Sequence, residues 1–532
     1  MQRSSHKRGF INMDKFVRPG IDDRPDYDKA LTPEQRDAVS RLATSMPERR
    51  AGDASQTDVQ VQATNLAASS DAAGSGLGAI AAVDTAVPDP SSAFMDMRDP
   101  MVSADGHRPT KAEVIRLGVG FTISAVACAI PWVALTSIIL PRVFESIDPA
   151  SKESMLGLVN IFGSVVALVA NIVFGTFSDL TRSRFGKRTP WMVAGGLVTG
   201  LSVGAVSLTH SEPVIIILWC CAQLGYNMML APYVATMSDR VPDKFRGTIS
   251  GFYGAGIAVG QTLGSFVGAQ LLKQGEAGIF SGWMMGMIIF SLAGIVVVLI
   301  WPREKSNRDE ARGELNVKSM LMSFRPPKNA PDFYYALAGR TMMMGGYWMI
   351  NTYQLYIAQD YVFAGDVDAG VKAAELIATM AVITLVVSLI AAVAAGPITD
   401  KIGMRKVPVA LANCLFAVGA LMPMLFRSAT GMLLFAGIAG LGYGIYNAID
   451  QALNVSVLPN PEEAGKDLGI LNLANTLSTV IGSGMTSILV VIVKSMMGVS
   501  ETPVVAYTVV FGVAIVIVLI AAFLIMRIKN VK

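Results

Sequence analysis

The sequence predicts an all-α membrane protein of twelve transmembrane helices, arranged as two repeated six-helix bundles. Three observations carry this reading. Hydrophobic residues make up 52% of the 532 residues and charged residues only 16%, too apolar a balance for a water-soluble chain of this length. The apolar residues fall in uncharged runs of about twenty, the length that crosses roughly 30 Å of hydrocarbon. A charged hairpin also recurs at half-chain distance. Its first copy reads Gly175-Thr-Phe-Ser-Asp179-Leu-Thr-Arg182-Ser-Arg184-Phe-Gly186-Lys187-Arg188-Thr-Pro190, and its second Gly396-Pro-Ile-Thr-Asp400-Lys401-Ile-Gly403-Met-Arg405-Lys406. The offsets agree, 396 − 175 = 221 and 400 − 179 = 221.

Span cores are expected near 116–140, 155–177, 190–209, 213–236, 248–271 and 281–301 in the first half. In the second half they are expected near 333–357, 374–397, 407–426, 430–456, 469–493 and 504–526. This divides the chain into a tail at 1–111, a first bundle at 112–302, a linker at 303–330 and a second bundle at 331–532. Proline and glycine inside spans, such as Pro131 and Pro232, are tolerated in membrane helices. The stripe Gly256, Gly260, Gly264 in the fifth span suits close helix contact.

The tail is different material. It contains no membrane-length run and no cleavable signal pattern. From Ala51 to Ser92 it has no aromatic residue, so it cannot bury enough surface to offset ordering entropy, and disorder is expected. Thr32-Pro33-Glu34-Gln35 could start one short helix. Two uses stay open: a dispensable leader, including an over-long start before Met95 or Met101, or a regulatory, partner-binding tail.

Basic residues orient the chain. With the tail cytoplasmic, the connections on that side hold Arg182, Arg184, Lys187, Arg188, Arg240, Lys244, Arg246, Lys401, Arg405, Lys406 and seven basic residues of the linker. The opposite side holds scattered charges such as Arg142, Lys152, Lys273, Lys372 and Arg427. This asymmetry puts both termini in the cytoplasm and the protein in the cell membrane.

Composition also excludes classes. A net charge of +3 gives no field for a nucleic-acid partner. The cysteines Cys128, Cys220, Cys221 and Cys414 lack metal-ligand spacing, so no metal is expected. No cofactor motif and no nucleophile motif is present, so an enzyme is not expected.

The repeat extends beyond the hairpin. Leu224-Gly225-Tyr226 matches Leu441-Gly442-Tyr443 (442 − 225 = 217), and Pro242 matches Pro459 at the same offset, 459 − 242 = 217. Two parallel six-helix halves with a site at their interface are the major facilitator plan. The stretch Ser178 to Pro190, with seven residues from Asp179 to Gly186, resembles the hairpin of glycoside–pentoside–hexuronide:cation symporters and sucrose transporters. Ser238-Asp239-Arg240-Val-Pro242-Asp243-Lys-Phe-Arg246-Gly247 resembles the same group, as do Asp450-Gln451-Ala-Leu and Gly465-Lys466-Asp467-Leu-Gly469. The resemblance covers about residues 112–530. It implies a facilitator fold in which spans one, four, seven and ten line the cavity, working as a monomer on a small solute. Spans one and four lack the paired aspartates of sodium-coupled members of that family, so the resemblance does not extend to sodium coupling.

Three groups of candidate residues follow. Gly175, Asp179, Arg182, Arg184, Lys187, Arg188, Asp400 and Arg405 are candidates for a cytoplasmic gate, because carboxylates at helix ends can pair across the halves in one state and release in another. The alternative is that these charges only enforce topology. Asp450 is the only carboxylate well within a predicted span, and Arg340 the clearest buried cation. An intramembrane ionisable pair is a functional hypothesis by default, so the two are candidates for proton coupling or for a static ion pair. Trp132, Gln223, Tyr226, Asn227, Trp348, Asn351, Gln354, Tyr443, Asn447 and Gln451 are candidates for substrate contact. Amides satisfy sugar hydroxyls and aromatic faces stack on pyranose rings. The expected function is a sugar:proton symporter. A drug or metabolite exporter of the same fold, or a non-transporting sensor, remains open.

Overall fold

The computed structural model describes residues 101–103, 107–308, 327, 330–402, 406–457 and 464–529, with backbone alone at some helical positions, Asp400 and Gln451 among them. The predicted tail and most of the linker lie outside the described residues. Twelve helices are found among the described residues, as expected. In the first half these are α1 Lys111–Ile147, α2 Lys152–Leu180, α3 Thr189–Val206, α4 Glu212–Arg240, α5 Asp243–Leu272 and α6 Gly275–Ile300. In the second half they are α7 Pro331–Asn351, α8 Ala369–Ile402, α9 Lys406–Leu425, α10 Ala429–Ser456, α11 Ala464–Met497 and α12 Val504–Met526. Eleven are long and apolar enough to cross a membrane unaided. The twelfth, α7, carries Asp332, Arg340 and Asn351 and depends on its neighbours to cover them.

Helix α1 begins in a capping box. The Thr110 side chain accepts from the Glu113 N–H at 3.3 Å, and the Glu113 carboxylate accepts from the Thr110 N–H at 2.7 Å. Pro131 interrupts the ladder further on, and the helix then widens into a π turn at Leu135–Ile139, as helices do where an extra residue is absorbed. Helix α7 does the same at its own end. It breaks at Thr352 and Tyr353, resumes at Gln354–Tyr356 and closes in a π turn at Ile357–Val362.

The helix pairings repeat. In the first half α1 lies on α5 and α6, α3 on α4 and α6, and α2 on α4. In the second, α7 lies on α11 and α12, α9 on α10 and α12, and α8 on α10. The glycine stripe of α5 faces α1, where a Cβ on Gly260 would sit 2.7 Å from the Val126 carbonyl oxygen. Its role is close packing. The halves meet through α2 against α11 and α5 against α8. An even number of helices returns the start of α1 and the end of α12 to one face, called the terminus face here; the opposite one is the far face.

Candidate transport site and its charged ends

The Leu-Gly-Tyr repeat builds matching aromatic stacks. Tyr226 of α4 lies face to face with Trp132 of α1, centroids 4.5 Å apart at 24°. Tyr443 of α10 lies on Tyr347 of α7 at 4.2 Å and 21°. The first stack lines a cleft with Ser124, Cys128, Met229 and Ile257. Tyr347 of the second lines a more polar cleft together with Asn351, Gln354 and Thr384 of its own half and Ser265 of the other. Gln354 donates from its amide to Asn351, whose own amide donates to the Tyr347 carbonyl at 3.0 Å.

Other candidates divide. Asn227 donates to the Gln223 carbonyl at 3.0 Å and accepts from Asn171 at 3.3 Å, so it ties α4 to α2. Trp348 packs where Gly482 of α11 crosses α7 and meets Tyr347 edge-on at 5.3 Å. Among the described residues, the buried Gln223 Oε1 and the Tyr347 hydroxyl have no hydrogen-bond partner, while the Tyr443 hydroxyl lies against Asn447 and that of Tyr446 against Asp450. The Gln223 and Tyr347 atoms are left for a solute or water. The side chain of Gln451 lies outside the described residues.

Arg340 and Asp450 meet. The guanidinium donates from Nη1 to Asp450 Oδ2, and from Nε to Asn475 Oδ1 at 3.2 Å. Asn454 donates to the same Asp450 oxygen at 2.9 Å. The Tyr446 hydroxyl lies against the same carboxylate. At 1.5 Å rise per residue the pair sits on the order of 10–14 Å from the terminus face. Asn454 and Asn475 were missed in the sequence, where polar residues at the ends of long spans look like boundary residues.

At the terminus face, Arg188 organises the first hairpin. It contacts Asp179 at 2.5 Å, Asp239 at 2.9 Å and Ser178 Oγ at 2.9 Å, and Lys187 joins Asp239 at 3.1 Å. Burial works against the Arg188 charge, but the Asp239 and Asp179 carboxylates hold its pKa above the ordinary arginine value. Arg182 donates to the Asp179 carbonyl at 2.9 Å and Arg184 lies over the Phe185 ring at 4.6 Å. A residue from beyond α6 completes the cluster. The Glu304 carboxylate accepts from the N–H groups of Lys187, Arg188 and Thr189 at 2.9–3.2 Å, at the start of α3. Asn307 bonds Ser183 N–H at 2.9 Å and the Thr181 carbonyl at 2.8 Å. Asp179 is thus held by a nearby arginine of its own hairpin. A Cβ on Gly175 would meet nothing within 4 Å. The side chain of Asp400, and Arg405 altogether, lie outside the described residues.

At the far face, several charges that look scattered in sequence form a buried cluster joining the halves, while Lys273 and Lys372 make exposed pairs with Glu375 and Asp366. Lys152 Nζ of α2 lies 2.8 Å from Asp360 Oδ2, in the π turn of α7, and 3.5 Å from Glu145 of α1. Lys494 of α11 lies 3.6 Å from Glu153, which is 1% exposed. The Tyr507 hydroxyl of α12 sits 3.0 Å from Glu153 Oε1 and 3.2 Å from Asp360 Oδ2. Tyr356 reaches the Pro141 carbonyl at 2.7 Å, and Tyr353 the Glu153 carbonyl at 3.2 Å. The chain is therefore closed on this side. Asp450 is not the only sequestered carboxylate: Glu153 begins α2 two residues before the predicted core and is buried by α7, α11 and α12.

A family model for the Major Facilitator Superfamily matches residues 116–373 and 336–531. An "MFS-type transporter" of Gibberella moniliformis (strain M3125 / FGSC 7600) is 24% identical over 325 residues, 60% of this chain and 72% of that protein. Among solved structures, a bacterial homologue of the human lysosomal transporter Spinster, inward-facing and unoccupied, is similar with TM-score 0.59 at 15% identity. That likeness covers 78% of this chain and 97% of the homologue. The nucleoside transporter NupG is similar with TM-score 0.59 at 12% identity, over 78% of this chain and 100% of its own. At such identities the two structures show the fold alone, and the fold, the repeated pairings and the family match agree. The chain belongs to the major facilitator superfamily.

Proposed function

We propose that this transporter moves a small polar solute, a sugar or glycoside, together with protons by alternating access. The observation that carries the proposal is the Arg340–Asp450 pair, buried between α7 and α10. Protonating Asp450 would weaken the pair and release Arg340 to the cavity side, which links proton binding to the packing of α7 on α10. The polar cleft of Tyr347, Asn351, Gln354 and Ser265 supports a hydroxyl-rich, uncharged solute, since its amides can both donate and accept. The extended first hairpin, with its resemblance to glycoside–pentoside–hexuronide symporters, supports the sugar reading. In this reading the protein is a monomer of the cell membrane with both termini cytoplasmic, and the hairpin charges serve as its cytoplasmic gate.

The test is uptake of radiolabelled disaccharides in a transport-deficient host, with and without a protonophore, for the wild type and Asp450→Asn. Uphill accumulation that the protonophore abolishes in the wild type and that Asp450→Asn loses is expected. Undiminished uphill accumulation in Asp450→Asn would remove the coupling role. A second reading is favoured by the mainly apolar first cleft, where Cys128, Met229, Leu230 and Ile257 surround the Trp132–Tyr226 stack. That lining suits a flat, amphipathic cargo and an exporter. Protonophore-sensitive efflux of such a compound, with no disaccharide uptake, would select it.

A further inference from the structure

We infer that Glu153 and Asp360 share one proton through the Tyr507 hydroxyl, so that closing the far face takes up a proton at a site separate from Asp450. The argument is a count of hydrogens. The phenol carries one proton, yet its oxygen lies within hydrogen-bond distance of two carboxylates, 3.0 Å from Glu153 Oε1 and 3.2 Å from Asp360 Oδ2. If both acids are ionised, Tyr507 donates to one, and the other faces its lone pairs across about the same gap in a buried setting, which is costly. One added proton removes the conflict. Glu153 then donates to the Tyr507 oxygen, and Tyr507 donates to Asp360.

The neighbouring charges say which acid holds it. Asp360 has an ammonium at 2.8 Å, from Lys152, whose other flank faces Glu145 at 3.5 Å and the Tyr356 ring at 4.7 Å. Glu145 is in turn paired with Arg142 at 2.6 Å. Glu153 has only the looser Lys494 contact, 3.6 Å, and that ammonium also serves the Ala150 carbonyl at 2.6 Å and Thr502 at 3.2 Å. Thr502 donates to Glu153 Oε1 at 2.6 Å, which a neutral carboxyl still accepts. Asp148 lies nearby but is bonded to Ser151 and Ala150. Glu153 is thus the most buried acid of the cluster and the one with the longest cation contact, and in this proposal the shared proton lies on its side of Tyr507.

The site exists only while α2 of one half meets α7, α11 and α12 of the other. Opening the far face would separate Glu153 from Tyr507 and Asp360, return it to water and release the proton. A proton taken up from the far side would therefore favour closure on that side, and alkaline conditions would favour opening. The inference rests on the two-state transporter reading, but not on the coupling role of Asp450 or on the identity of the solute.

The test is a pulsed-EPR distance measurement between spin labels at Leu208→Cys and Val367→Cys. These positions are 81% and 99% exposed at the far face, one in each half, and the four native cysteines are replaced. In reconstituted vesicles the ratio of long to short distances should rise with pH across about pH 5 to 9, by up to tenfold per pH unit for one proton. Glu153→Gln, which mimics the protonated acid, should stay short at every pH. Asp450→Asn, which removes any contribution of Asp450 itself, should still show a ratio that rises with pH. A wild-type ratio that does not change with pH overturns the inference. So does a Glu153→Gln ratio that still follows the wild type, or loss of the dependence in Asp450→Asn alone. Asp360→Asn is the second variant should Glu153→Gln not fold, with the same flat, short-distance profile expected. Failure of proton-driven uptake would leave these distances untouched, so the two proposals fail separately.

Discussion

Tyr443 stacks on Tyr347 in the second half as Tyr226 stacks on Trp132 in the first, and in each case a glycine immediately precedes the α4 or α10 tyrosine. The glycine explains why the tyrosine is where it is. A Cβ on Gly225 would lie 2.6 Å from the Thr199 nitrogen of α3, and one on Gly442 would lie 2.6 Å from the Ala412 carbonyl of α9. The missing side chain lets α4 sink onto α3, and α10 onto α9, which turns the next residue toward the first helix of its half.

Gly225→Ala and Gly442→Ala should therefore each destabilise the purified protein. Overpacking of this kind costs typically about 1–3 kcal/mol, read as a lower melting temperature in detergent. Gly345→Ala and Gly512→Ala, where an added Cβ meets nothing within 4 Å, should leave it unchanged or slightly higher.

Breaking the Arg340–Asp450 pair from one side should cost more than removing both charges. A single neutralisation leaves an uncompensated buried charge, at about 3–5 kcal/mol. Arg340→Met should thus melt well below the wild type, and Arg340→Met combined with Asp450→Leu should recover much of the loss. A thermal-shift series in one detergent checks the order.

Glu304→Ala should loosen the hairpin without touching the helices around it. Three backbone N–H groups at the start of α3 would lose their acceptor, a loss of about 1–3 kcal/mol where the groups stay buried. Hydrogen exchange at Lys187, Arg188 and Thr189 should accelerate, while exchange in α10 should not.

Gly175→Leu should separate folding from flux. The space above Gly175 is open in the far-face-closed state, so the variant should fold and melt like the wild type. If the terminus face closes over this position in the other state, the side chain blocks that closure and transport falls several-fold. Normal transport by Gly175→Leu would argue against a gate at the hairpin.

The sequence was most readable where physics acts along one helix. Twenty-residue apolar runs and the two repeats located all twelve helices and the six-plus-six pairing. The meeting of Arg340 with Asp450 was also foreseeable, because a lone acid and a lone base in apolar spans have few other partners. Contacts set by rotation of one helix against another were not readable. Whether Asn227 serves the cavity or an interhelical bond was open in the sequence, and the structure shows it bonded to Asn171 on α2. Glu153 and Lys494 carry no mark of burial in the sequence, since each lies near a helix end, where a charge is ordinarily solvated. Only the meeting of α2 with α11 and α12 buries them. Glu304 was hidden for a similar reason: a glutamate in a charged linker looks solvated until the fold brings it to the start of α3.

That strap at Glu304 and Asn307 alters where the first half of the molecule ends. Helix α6 stops at Ile300, and a boundary drawn there would assign everything beyond it to a neutral connector. The following seven residues are instead part of the first bundle's own architecture, supplying the anion that caps α3 and the amide that clasps the hairpin turn. A half-protein produced alone or exchanged between relatives has to run through Asn307. Cut after the helix, it would carry its charged hairpin with the fastening removed.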